Sequence, residues 1–282
     1  MKPAIAVGVV LVWIMVIQAA DSLERIHHRR LPVFSGRMEL DEYQNPVLFD
    51  LRNNEIVLVS NDFLHHESKQ VFMYETQSVR FYAKSSSYSS SVGLLFYSPF
   101  RKSYLLTDYE IDFIADQFQL SPNIEPERIF FFEPSSLYVF SASNATLYYY
   151  PNFLTSRQIV KPLTIPRYHT IVGSTDQHEL IILDKKNCQF YFFSIASQSV
   201  TEELPEGIMP CRMVVSENRI YALPEIGVHL YIGIVDPSHK MIWNKCRLTG
   251  SEDHWSDLAV DKKMVFTLSA NGELSRWAIR GE

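Results

Sequence analysis

Asp257-Leu-Ala-Val-Asp261, Lys263-Met-Val-Phe-Thr-Leu-Ser269 and Glu273-Leu-Ser-Arg-Trp-Ala-Ile279 close the chain as three short apolar runs. Each is rich in residues that fit a pleated surface, and each is bounded by polar or turn-forming residues. Asn271-Gly272 supplies the positive φ angles that a tight hairpin needs. The segment therefore reads as three antiparallel strands, with the chain ending before a fourth.

The same pair of runs recurs upstream. It appears at 47–51 with 55–60, 93–97 with 103–108, 128–132 with 136–142, 170–174 with 178–184, and 212–216 with 218–223. Counted from Val47, Val92, Arg128, Thr170, Arg212 and Asp257, the steps are 45, 36, 42, 42 and 45 residues. Third and fourth runs follow most pairs, as at 146–150 and 157–163, 188–195 and 198–204, and 228–234 and 240–248. Four strands per period of about 40–50 residues is the sequence form of a β-propeller blade. The expectation is an all-β, six-bladed β-propeller of four-stranded antiparallel blades; the alternative is a two-sheet sandwich. The missing last strand is expected from an N-terminal strand, Pro32–Leu40, which would close the ring and cover an exposed edge. On this reading residues 32–282 form one domain, and residues 21–31, with His27-His28-Arg29-Arg30, form a flexible basic lead-in.

The chain has 282 residues, 46% of them hydrophobic and 21% charged, which suits a large core and argues against disorder. A net charge of −6 gives no footprint for nucleic acid. Residues 1–20 read as a signal peptide: Lys2, an apolar run from Ala4 to Ile17, then small residues Ala19, Ala20 and Ser22. That run is short for a bilayer span, so cleavage near 20–22 is preferred over an uncleaved anchor. The mature protein is then expected to be secreted, extracellular and without stable membrane insertion. An oxidising compartment allows one disulfide among Cys188, Cys211 and Cys246. Asn144-Ala145-Thr146 is an N-glycosylation sequon between two apolar runs, where a surface turn belongs.

In a propeller the connections from the last strand of one blade to the first of the next gather at one end of the channel. Here they are expected at 41–46, 85–91, 121–127, 164–169, 205–210 and 249–256. They collect the candidate binding residues Tyr43, Tyr88, Arg167, Tyr168, His169, Asp253, His254 and Trp255, on loops that a rigid scaffold would present to a ligand. His65-His66-Glu67 lacks the helical spacing of a zinc protease. Ser85–Ser91 reads as a flexible loop. Phe130–Phe132 and Tyr148–Tyr150 read as sheet core. Asp108, Asp112 and Asp116 lie among strand-forming residues and are not expected to bind metal. No nucleophile elbow, P-loop or dinucleotide fingerprint is present, so no catalytic residue is assigned.

The stretch from Asp257 to Trp277 resembles a blade of the Yellow/major royal jelly family, with its apolar strand, Asn-containing turn and Trp near the end. That resemblance implies a secreted six-bladed propeller. Tyr104-Leu-Leu-Thr-Asp108 is similar to the Tyr-Trp-Thr-Asp blades of lipoprotein-receptor propellers. Neither resemblance implies a catalytic residue here.

The expected function is that of a non-enzymatic extracellular binding protein, holding a protein or small-molecule ligand on the loop face or in the central channel. No cofactor is expected for that role. The alternatives are a propeller hydrolase or lactonase with calcium held by carboxylates from different blades, and a structural component of a secreted matrix.

Overall fold

A computed structural model gives the fold. It describes residues 22–280, except 33–36, 42, 51–52, 54, 71–79, 84–93, 99–101, 108–113, 121–123, 134–135, 142, 154–160, 166–168, 175–179, 194–199, 205–207, 217–218, 236–240, 250–253 and 263.

Among the described residues, 24 strands form six four-stranded antiparallel sheets. β1 (Ser22–Arg30) comes first. Five consecutive meanders follow. They are β2 (Arg37–Leu40) to β5 (His66–Gln70) through β3 (Pro46–Asp50) and β4 (Glu55–Val59), then β6 (Arg80–Ala83), β7 (Leu94–Ser98), β8 (Ser103–Thr107) and β9 (Ile114–Phe118). Next come β10 (Arg128–Glu133), β11 (Ser136–Ser141), β12 (Thr146–Tyr150) and β13 (Lys161–Thr164), and β14 (His169–Ser174), β15 (Leu180–Asp184), β16 (Gln189–Phe193) and β17 (Val200–Glu203). The fifth is β18 (Pro210–Ser216), β19 (Arg219–Pro224), β20 (His229–Val235) and β21 (Met241–Arg247). β22 (Trp255–Asp261), β23 (Met264–Ser269) and β24 (Glu273–Arg280) complete the chain, and β1 adds to them in the order β1-β24-β23-β22. The architecture is an all-β propeller.

Apolar side chains on facing sheets form the glue. Leu48 and Val57 of the first meander pack with Phe266 and Leu268 of the last sheet. Leu95 and Tyr104 meet Leu137 and Val139; Phe140 and Leu147 meet Ile171 and Ile182; Ile181 and Leu183 meet Met213 and Ala222. Tyr221 and Leu230 meet Leu258 and Trp277. Trp277 is wholly buried, and its Nε1 donates to Thr267 Oγ1 at 2.9 Å. Trp277→Ala is therefore expected to cost about 3–5 kcal/mol, read as a fall in the urea midpoint.

Three of the turns between second and third strands share a chemistry. Asp50 accepts from the Asn53 backbone N–H at 3.0 Å and its Nδ2 at 2.8 Å. Asp184 does the same with Asn187 at 3.1 and 2.7 Å. In the last sheet Ser269 takes this place, accepting from the Glu273 N–H at 2.9 Å, and Gly272 adopts φ 80°. Short polar side chains here satisfy backbone donors that the hairpin leaves open.

Two expectations need correction. The closing strand is β1, not Pro32–Leu40, so residues 22–30 are no flexible lead-in. β1 pairs along β24 from Ser22↔Arg280 to Arg30↔Glu273, and alternates between exposed and partly buried residues over its whole length. Leu23, Arg25, His27 and Arg29 form the inward face. Arg25 pairs with Glu273 at 3.1 Å and lies over the Trp277 ring, 5.8 Å from its centroid. Arg29 donates to the carbonyls of Phe63 and Leu64, both at 2.7 Å, tying the last sheet to the first meander. Arg37–Leu40 is instead the inner strand of that meander. The charge of 22–30 conceals its alternation because an outermost strand buries only the stems of its inward Arg and His.

The second correction concerns phase. Val47 lies on the second strand β3, and the run 93–97 coincides with the second strand β7, whereas Arg128, Thr170, Arg212 and Asp257 sit on first strands. The irregular step of 36 comes from that mismatch. Consequently 41–46 and 85–91 link a first strand to a second and do not connect sheets. Strands at 128–133, 146–150 and 114–118 place Phe130–Phe132, Tyr148–Tyr150 and Asp116 in sheets, with Tyr148 and Tyr150 buried.

Candidate functional site: a charged central channel

The described candidates fall in different settings. Tyr43 is 72% exposed in the β2–β3 turn, where Asp41 accepts from its backbone N–H at 2.8 Å. That turn lies at the opposite end of the sheets from the connections between them. Tyr88, Arg167, Tyr168 and Asp253 lie outside the described residues. His169 opens β14 and pairs with Asp184 through the backbone. His254 is exposed and bridges Ile226. Trp255 is core: it is buried against Tyr221 and Leu258, and its Nε1 donates to the Gly227 carbonyl at 2.6 Å.

The cysteines also depart from expectation. Neither Cys188 nor Cys246 is in a disulfide. Cys188 is exposed in the β15–β16 turn at φ 53°, whereas Cys246 is buried among Leu230, Ile232 and Trp255. Those placements keep their thiols in separate environments. Asn144 lies exposed in the β11–β12 turn, and its Nδ2 donates to the Tyr148 hydroxyl at 2.6 Å.

The described charges converge elsewhere, on the inner strands. Arg212 of β18 donates from Nη2 to Glu39 Oε1 of β2 at 3.0 Å. Its Nε lies 3.3 Å from Asp257 Oδ1 of β22. Asp257 in turn accepts from the backbone N–H groups of Met38 and Leu258, both at 2.8 Å. The sheet of Arg212 and that of Glu39 are not neighbours, because the β22 sheet packs between them. Their side chains can meet only across the central channel. Side chains of Glu39, Arg212 and Asp257 keep 25%, 16% and 5% of their surface open, as expected for groups lining a narrow bore.

This setting changes how the groups ionise. Burial pushes the Glu39 carboxyl up from its ordinary 4.5 to about 7, with Asp257 adding repulsion and Arg212 opposing both. Burial, Arg37 and Arg212 pull the Arg128 guanidinium down to about 10, so it stays a cation at neutral pH. A carboxyl raised in the folded state stabilises the fold fully below 4.5, and that contribution is lost as pH rises through about 7. Glu39→Gln is expected to flatten this part of the stability profile, measured as the change in melting temperature between pH 5 and pH 8.

Both described channel carboxylates are held by one guanidinium. Among the described residues, no group of three or more His, Cys, Asp or Glu is placed to hold a metal ion. No helix among the described residues is long and apolar enough to cross a membrane.

No protein-family model matches the sequence, and no curated protein matches it. Solved structures do match. A chain of the mitotic checkpoint complex superposes with a TM-score of 0.67 at 8% identity, covering 99% of this chain and 96% of that one. Virginiamycin B lyase from Staphylococcus aureus gives 0.58 at 9% identity, covering 92% and 100%. YCF48 bound to D1 peptide gives 0.58 at 12% identity, covering 89% and 94%. Identities this low establish shared architecture alone. What the chain has in common with these proteins is the β-propeller fold.

Proposed function

We propose that this chain is a non-enzymatic binding protein whose central channel and connection face hold a ligand, and that its six sheets are the six blades of one closed ring. The observation carrying the binding role is the convergence of Arg212, Glu39 and Asp257 from three separate inner strands. A rigid scaffold that brings charged groups together from distant sequence positions suits recognition. The checkpoint-complex chain and YCF48 both occur with protein partners in their own structures, which supports a protein partner as one class of ligand. A calcium-dependent hydrolase is less well supported, because a cation in the channel would have to displace Arg212 from both described carboxylates.

We place the protein outside the cell. Lys2, the apolar run 4–17 and the small residues 19–22 support export, and the exposed turn at Asn144 suits glycan attachment. Expression in a eukaryotic secretory line is expected to deliver protein to the medium with an N-terminus near residue 21 and one glycan, absent in Asn144→Gln. Uncleaved, cell-retained protein would contradict export. For the binding role, immobilised secreted protein is incubated with extracellular fluid and assayed in parallel on a panel of esters and lactones. Saturable retention of a partner without turnover is expected; calcium-dependent turnover without any retained partner would overturn the reading.

A further inference from the structure

One register position recurs in all six sheets. It is the first-strand residue opposite the last core residue of the second strand. The pairs are Arg37↔Phe49, Arg80↔Tyr97, Arg128↔Phe140, Thr170↔Leu183, Arg212↔Leu223 and Asp257↔Leu268. The next second-strand residue is in each case the one that enters the turn: Asp50, Ser98, Ser141, Asp184, Pro224 or Ser269. The equivalence is therefore fixed by backbone pairing. Four of the six positions are arginine. Inner strands run along the channel and start at the end where the sheets connect, so this layer lies near one mouth.

The arginines are not equally engaged. Arg212 is fixed by Glu39 and Asp257. The side chains of Arg37 and Arg128 make no hydrogen bond or ion pair with a described residue. Arg80 is placed by register alone. With Glu127, which also acts on Arg128, the carboxylates Glu39 and Asp257 balance the three described guanidiniums when Glu39 is ionised, and one positive charge is in excess when Glu39 is protonated. Low-dielectric walls focus that excess, and the planar guanidinium fork matches the paired oxygens of an oxyanion.

We propose that this mouth of the channel binds a tetrahedral oxyanion, phosphate or sulfate, between Arg37 and Arg128, with Arg212 as a third cation fixed by Glu39 and Asp257. This deepens the binding role above and rests on it. The oxyanion can be a free ion or an ester group on a larger molecule. As pH falls from 8 to 6, binding of sulfate tightens, because Glu39, which faces Arg212, Asp257 and Arg37, gains a proton.

The test is calorimetric titration of the purified full chain with inorganic phosphate, inorganic sulfate and glucose 6-phosphate, at constant ionic strength in chloride. Saturable binding is expected, weakened at least tenfold in Arg128→Ala and in Arg37→Ala. Neither side chain makes a described hydrogen bond or ion pair, and each acts on the layer's carboxylates only at longer range, so both variants should melt within about 5 °C of the parent without ligand. Binding of the inorganic ions marks a free-ion site; binding of glucose 6-phosphate alone marks an ester site, and both support the proposal. No saturable binding of any probe, or binding unchanged in both folded variants, overturns it. If partner retention persists while the titrations fail, the ligand assignment falls alone. Calcium-dependent ester turnover with no retained partner removes the binding role itself.

Discussion

Removal of residues 22–30 is expected to destroy cooperative folding, or to lower the melting temperature by about 10 °C or more. The deletion strips β24 of its antiparallel partner along most of its length. It exposes the flank of Trp277 and Ile279, removes Leu23 from their core, and leaves Glu273 without Arg25. It also breaks the Arg29 link to Phe63 and Leu64, and loosens Leu31, whose N–H donates to the Gly272 carbonyl at 2.9 Å. Several kcal/mol of lost burial and pairing follow, and each shifts the melting temperature by roughly 2–4 °C in a domain of this size. A bare β24 would also present an open edge for aggregation. The control is Ser22→Ala with His28→Ala, on the exposed face of the same strand, for which a change within about 0.5 kcal/mol is expected. Circular dichroism melts and light scattering read both. A deletion variant that melts like the parent would contradict closure by β1.

Arg212→Ala should be the most damaging single change in the channel. It takes from Glu39 and Asp257 the one described guanidinium in direct contact with both, leaving Arg37 and Arg128 to act at longer range, at an expected cost of about 3 kcal/mol at pH 8. At pH 5.5 the cost should be smaller, because Glu39, with its value raised to about 7, already carries a proton in the folded state. Arg212→Met combined with Glu39→Gln and Asp257→Asn removes the whole charge set and should recover much of the loss, since an intact buried ion cluster offers little over neutral packing. Urea denaturation at both pH values checks this. Equal losses for the single and triple variants would mean that Arg212 acts through packing and not charge.

Much of the fold was legible because its strongest signals are local. The runs at 128–142 and 257–279 alternate, pair and turn within a few residues of sequence, and Asn271-Gly272 names its own hairpin. Phase was harder to read. The first strands of the early sheets, Arg37-Met-Glu-Leu40 and Arg80-Phe-Tyr-Ala83, are short and begin with a charge, so the more apolar second strands dominated the pattern. Closure by β1 was hidden for a related reason: Arg25, His27 and Arg29 face inward by burying their stems.

The site was less legible than the fold. The loops gather polar residues, yet Trp255 is core and Tyr43 lies at the far end. The channel residues come from four first strands spread from Arg37 to Asp257, and only three-dimensional register brings them to one level. One signal was present in the sequence. Four of the repeat starts, Arg128, Thr170, Arg212 and Asp257, already fall on the ring position. Correct phasing of the first two units would have added Arg37 and Arg80.

The most direct test of the channel as the functional centre is diffraction from crystals grown without phosphate or sulfate and soaked in selenate, with anomalous data at the selenium edge. A peak is expected on the channel axis, about 3 Å from the guanidinium nitrogens of Arg37 and Arg128. A channel without a peak, with Arg128 turned onto a protein carboxylate, would contradict it.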